Sequence, residues 1–138
     1  MAKVWVYAEL NQGHLAPTAL ELLAKARELG DVEAIALGGG AKAAAATLGK
    51  HGAKVVHVNE DAAFDDFIAE PATDALASLC KQQAPDLILF GFTPDSRDVA
   101  GRLAARLQVG LIANAADVAA KDGGFVAKVA YLDRKSVV

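Results

Sequence analysis

A single cysteine, Cys80, leaves the 138-residue chain without a partner for an internal disulfide, so nothing calls for an oxidising compartment. Basic charge is also short. Fourteen Lys and Arg against seventeen Asp and Glu give a net charge of -3, so no nucleic-acid or anionic-membrane partner is expected. No apolar run approaches the roughly 20 residues of a membrane span, and no membrane insertion is expected. The opening MAKVWVYAELNQG breaks its apolar run at Glu9 and is neither a secretory signal nor an Arg-rich transit peptide, so the expected location is the cytoplasm. His14, His51 and His57 fall on different segments without ligand spacing, and no metal site is expected. The G-x-G-x-x-G and G-x-x-x-x-G-K-[ST] phosphate fingerprints are missing. So are a G-x-S-x-G elbow and an acid–base carboxylate pair, so no catalytic residues are assigned and an enzyme is not expected.

What is present is a core. At 54% apolar and 22% charged residues the chain reads as a globular domain long enough to bury one. Two periods alternate along it. KVWVYAE (3–9), VEAIALG (32–38), AKVVHVN (53–59) and DLILFGF (86–92) read as strands, the last apolar almost throughout as in a sheet covered on both faces. PTALELLAKARELG (17–30) reads as a helix with Ala19, Leu22, Leu23, Ala26 and Leu29 on one stripe, Glu21 and Lys25 paired on another face, Pro17 at the start and Gly30 at the stop. GAKAAAATLGKHG (40–52), FIAEPATDALASLCKQQAP (67–85), with Phe64 and Phe67 as a staple, and 95–108 read as further helices. GLIANAADVAA is expected to add a fifth strand, followed by a turn at Asp122–Gly124 and an extended tail. Such alternation with short connections predicts an α/β fold with a three-layer, Rossmann-like parallel sheet.

In open parallel sheets ligands sit at the carboxyl ends of the strands, here Glu9 to His14, Gly38 to Ala41, Asn59 to Asp61 and Gly91 to Ser96. Gly38, Gly39 and Gly40 lead into a helix whose free N–H groups could hold an anion, or they only make a tight turn. Thr93, Asp95 and Ser96 can each cap the next helix, and Arg97 could reach a phosphate or a partner's carboxylate. These seven residues are the candidate cofactor-binding or interface positions. Cys80 and Trp5 read as core.

Several motifs in order carry a resemblance. KVWVYAELNQGHLAPTALELLAKARELG, then FIAEPATDALASL, then PDLILFGFTPDSRDVAGRLAARLQVGLIANAADV are similar to the electron transfer flavoprotein alpha subunit, N-terminal domain, over about residues 3–118. Ser96 stands where that family commonly has glycine, and Gly101 where proline is frequent. The resemblance implies an adenine nucleotide alpha-hydrolase-like fold for residues 1–120, with 121–138 an extended tail that starts a link toward an FAD domain the chain lacks. It implies an electron carrier component, a scaffold that pairs with the beta subunit and supports the FAD domain. FAD would belong to the full complex and AMP to the beta subunit, and this chain alone is not expected to bind FAD. Dehydrogenases such as acyl-CoA dehydrogenase would be partners through the complex, and an isolated domain with an orphaned docking face is expected to self-associate. The alternative is a stand-alone AMP- or ATP-binding module resembling universal stress proteins.

Overall fold

Val4, Trp5 and Val6 are all buried although successive strand side chains point to opposite faces, so the first strand must be covered on both sides. A computed structural model describes residues 2–67, 69–113 and 115–129 and shows how. Strand β1 (Lys3–Tyr7) leads into a small hairpin, β2 (Leu10–Asn11) and β3 (His14–Leu15), and then into α1 (Thr18–Leu29), β4 (Asp31–Leu37), α2 (Ala41–Lys50) and β5 (Val55–Asn59). A single turn α3 (Ala63–Asp66) precedes α4 (Glu70–Gln83), β6 (Leu87–Leu89), α5 (Pro94–Leu107), β7 (Ala115–Lys121) and β8 (Gly124–Val129).

The parallel sheet runs β5-β4-β1-β6, with β1 between β4 and β6. Val4 and Val6, with Ala34 and Ala36, meet Ala19, Leu23 and Ala26 of α1 and Ala44 and Leu48 of α2. Trp5 and Ile35 point the other way, onto Ala72 and Leu76 of α4 and Val99 and Leu103 of α5. The result is the expected three-layer α/β arrangement around a two-faced parallel sheet. Small residues dominate the first face because the alanines of α1 and α2 let the helices lie close on the sheet.

Three local expectations change. The stretch 110–120 does not extend the parallel sheet as a fifth strand: β7 pairs antiparallel with β8 through the turn at Asp122–Gly123. Val118 and Phe125 of this hairpin pack on the α1 side of the core. Lys25 pairs with Asp117 of the same hairpin and with Glu28, not with Glu21. The helix expected from residue 67 starts at Glu70, because Asp61 turns the chain earlier by accepting the Ala63 N–H at 3.0 Å; Phe67 is extended and 63% exposed, so it is no staple. Gly30 does stop α1 as expected, in an extended conformation, and a Cβ there would lie 2.3 Å from the Ala2 carbonyl oxygen. The part of the expected tail at 130–138 lies outside the described residues.

Candidate functional site at the carboxyl edge of the sheet

The chain runs from β1 outward to β4 and β5, then returns to lay β6 on the other side of β1. The crevice between the carboxyl ends of β1 and β6 is therefore the switch point at which α/β sheets bind ligands. Glu9 follows β1 there, and the Thr93–Ser96 loop follows β6.

Thr93 is the N-cap of α5, its hydroxyl oxygen accepting the Ser96 N–H at 3.1 Å. The same hydroxyl donates to Glu9 Oε1, and the fully buried Ser96 hydroxyl donates to that oxygen at 2.8 Å. Glu9 Oε2 takes a longer bond of 3.4 Å from the Asn11 amide. The loop that sequence reading leaves open to a ligand is thus closed on the chain's own carboxylate.

The glycine loop behaves in the same way. Gly39 N–H reaches both oxygens of Asp65, at 3.1 and 3.2 Å, and Lys42 N–H donates to Glu60 Oε2 at 3.2 Å. Two carboxylates from beyond β5 therefore satisfy the start of α2 and complement its dipole, although its own first turn carries no acid. Gly40 takes a left-handed conformation, φ +90°, which an L side chain rarely adopts.

A cleft of about 650 Å³ opens between the β2–β3 hairpin and α3, lined among others by Tyr7, Glu9, Phe64, Asp65 and Asp95. Its described lining holds three carboxylates and no Lys or Arg. Arg97 instead lies over the exposed Phe92 ring, 4.6 Å from its centre. Of the seven candidate positions, Thr93 and Ser96 converge on Glu9, Gly38 and Gly39 on Asp65, Asp95 lines the cleft, Gly40 turns the chain, and Arg97 stands on Phe92. Asp65 and Tyr7 are site residues that sequence reading did not single out, and Glu9 entered only as the start of the Glu9–His14 edge. Asp65 carries no local signal, since its partner lies 26 residues earlier. Among the described residues no group of three or more His, Cys, Asp and Glu side chains could hold a metal ion.

Burial pushes the Tyr7 phenol up to about 12, and Glu9 and Asp95 add to the effect. The folded chain keeps this proton at pH values where the unfolded chain, with a phenol near 10.0, has begun to lose it. Stability is therefore expected to fall between about pH 10 and about pH 12, by up to about 2.7 kcal/mol. Urea unfolding of Tyr7→Phe beside the parent chain checks this: the variant should lack that part of the alkaline slope, and parallel slopes would refute the assignment.

The electron transfer flavoprotein domain family matches residues 4–133. The electron transfer flavoprotein subunit alpha of Mycobacterium tuberculosis is 37% identical over 126 residues, covering 90% of this chain and 39% of that protein. The corresponding subunit of Bacillus subtilis is 32% identical over 127 residues, covering 90% and 39%. Protein FixB of Rhizobium meliloti is 32% identical over 133 residues, covering 90% and 38%. The chain spans about two-fifths of the length of these relatives. Among solved structures, protein Rv1636 from Mycobacterium tuberculosis H37Rv aligns with a TM-score of 0.41 and 18% identity, over 80% of this chain and 92% of that one.

Proposed function

Because the chain belongs to the electron transfer flavoprotein family, we propose that it is the N-terminal domain of an alpha subunit, a scaffold that pairs with a beta subunit and supports an FAD domain. The observation that carries this reading is that the donors of both candidate loops at the carboxyl edge, Gly39 N–H and the Thr93 and Ser96 hydroxyls, are already taken by Asp65 and Glu9. A bound phosphate would have to displace those carboxylates or sit beside them. At about 5 Å and an effective dielectric of about 20, each like-charge contact costs about 3 kcal/mol. A loop closed in this way caps a helix and shapes a surface.

The proposed division is a domain over residues 1–120, with residues 121–138 leading toward the FAD domain and the β7–β8 turn lying at the start of that link. FAD would belong to the full complex and AMP to the beta subunit. Dehydrogenases such as acyl-CoA dehydrogenase would be served through the complex, in the cytoplasm. The chain itself would be a carrier component rather than an enzyme. Among the described residues no helix is long and apolar enough to cross a membrane, in keeping with that role. Arg97 on Phe92, both exposed, supplies an aromatic–arginine pair of the kind that concentrates binding energy at protein interfaces.

Native mass spectrometry of the chain with FAD, AMP or ATP, and with the beta subunit of the same organism, tests this. The expected result is no nucleotide or flavin adduct and a one-to-one complex with the beta subunit. One AMP or ATP per chain would overturn the scaffold reading in favour of a nucleotide module, and failure to pair would remove the alpha-subunit role.

A further inference from the structure

Strand β5 ends the sheet, and among the described residues nothing pairs with its outer side. The Asn59 carbonyl accepts the Gly38 N–H at 2.8 Å on the inner side, so by the alternation of a strand the N–H and C=O groups of Val56 and Val58 face outward. Val55 and Val58 are 44% and 38% exposed. Sheet edges are commonly guarded by proline, a bulge or a charged side chain within the strand. VVHVN has none of these. Its nearest charges lie just outside it, Lys54 before and Glu60 after.

That placement is self-complementary. From it we propose that β5 pairs antiparallel with β5 of a second copy of this chain, about a two-fold axis through His57, joining two four-stranded sheets into one of eight strands. The axis sets Val55 against the partner's Asn59, Val56 against the partner's Val58, and Lys54 against the partner's Glu60, twice over. A shift of the axis to Val56 or Val58 would set Lys54 against an uncharged Val58 or Ala62 instead. Registers between these would place the α2 face of one strand residue opposite the α4 face of its mate, which the pleat forbids. The axis at His57 also sets the outward-facing main-chain groups of Val56 against those of the partner's Val58, as a hydrogen-bonded pair requires.

The local partners leave room for this. Lys54 bonds Asp31 Oδ1 at 2.7 Å while its side chain is 68% exposed, and an ammonium has three donors. Glu60 uses Oε2 for the Lys42 N–H and has a second oxygen to offer. The two imidazoles that meet at the axis are each tied to Glu33 of their own copy at 2.9 Å.

Sedimentation equilibrium of the 138-residue chain over a range of concentrations, with charge reversals, tests the pairing. The parent chain is expected to show a concentration-dependent dimer. Lys54→Glu alone and Glu60→Lys alone should each weaken it by at least about tenfold, since each turns two attractive contacts into repulsive ones. An equimolar mixture of the two single variants should dimerise again, because in the mixed pair both positions carry opposite charges. The mixture also guards against misfolding of either variant, since a chain that fails to fold rescues nothing. A monomer at all concentrations, a dimer indifferent to the single reversals, or a mixture that stays monomeric would overturn the proposal. None of these results bears on pairing with a beta subunit.

Discussion

Trp5→Ala is expected to cost about 3–5 kcal/mol and to lower the melting temperature by roughly 10–20 °C. The indole is fully buried at the centre of the sheet, against Ile35, Leu76, Val99 and Leu103, where two helices close over it. Truncation leaves a void that neighbours on rigid strands cannot collapse into. It also removes the Nε1–H bond of 3.1 Å to Glu33, the carboxylate that holds His57. Trp5→Phe separates the two effects: it keeps most of the volume and loses only the bond, and about 1–2 kcal/mol is expected. Because Trp5 is the one tryptophan, urea unfolding has to be followed by circular dichroism rather than by fluorescence. An alanine variant within about 1 kcal/mol of the parent would mean that this face of the sheet is not packed as described.

Gly40→Ala is expected to cost about 3 kcal/mol through two effects that act together. The left-handed backbone, φ +90° and ψ -1°, disfavours any Cβ by about 1–2 kcal/mol. The new methyl would also lie 2.3 Å from the Gly13 carbonyl oxygen, so the β2–β3 hairpin has to move away. That hairpin forms one wall of the cleft, and the damage should reach the site: hydrogen exchange at Gly39, whose N–H is held by Asp65, should rise together with exchange across Leu10–Leu15. Gly49→Ala is the control. A Cβ there meets nothing within 4 Å in the last turn of α2, and a gain of up to about 0.5 kcal/mol is expected. Equal behaviour of the two variants in denaturant unfolding would sink the account of the turn.

Sequence reading finds what local rules dictate. The alternation at residues 4–6 and the 3.6-residue stripe of Ala19, Leu23 and Ala26 place β1 and α1 because periodicity is a property of neighbours along the chain. Thr93 is legible as a cap for the same reason, its bond spanning three residues. The partner of that cap is not legible. Glu9 meets Thr93 and Ser96 across 84 and 87 residues, and no spacing rule connects them. Gly38–Gly40 reads equally well as an anion cradle or a turn, because the choice depends on Asp65, which only the fold brings near. The β2–β3 hairpin escapes because two residues per strand are too few to show a period, and the Gln12–Gly13 turn is its one local sign. The stretch 110–120 is apolar enough for a strand, but composition does not say which edge it will join. Here it joins β8.

The central position of β1 has a consequence for how the chain is made. Val4 takes one strand neighbour at Val32 and the other at Leu87. A ribosome adding about 5–20 residues per second supplies the first within a few seconds, and the second only after roughly 4–17 s. Through that interval the nascent chain can pair β1 with β4 but cannot close the far side, and Trp5 lacks the two helices that cover it. The half-built sheet therefore leaves the Trp5 face uncovered and one edge of β1 unpaired during synthesis, an exposure the finished fold does not share.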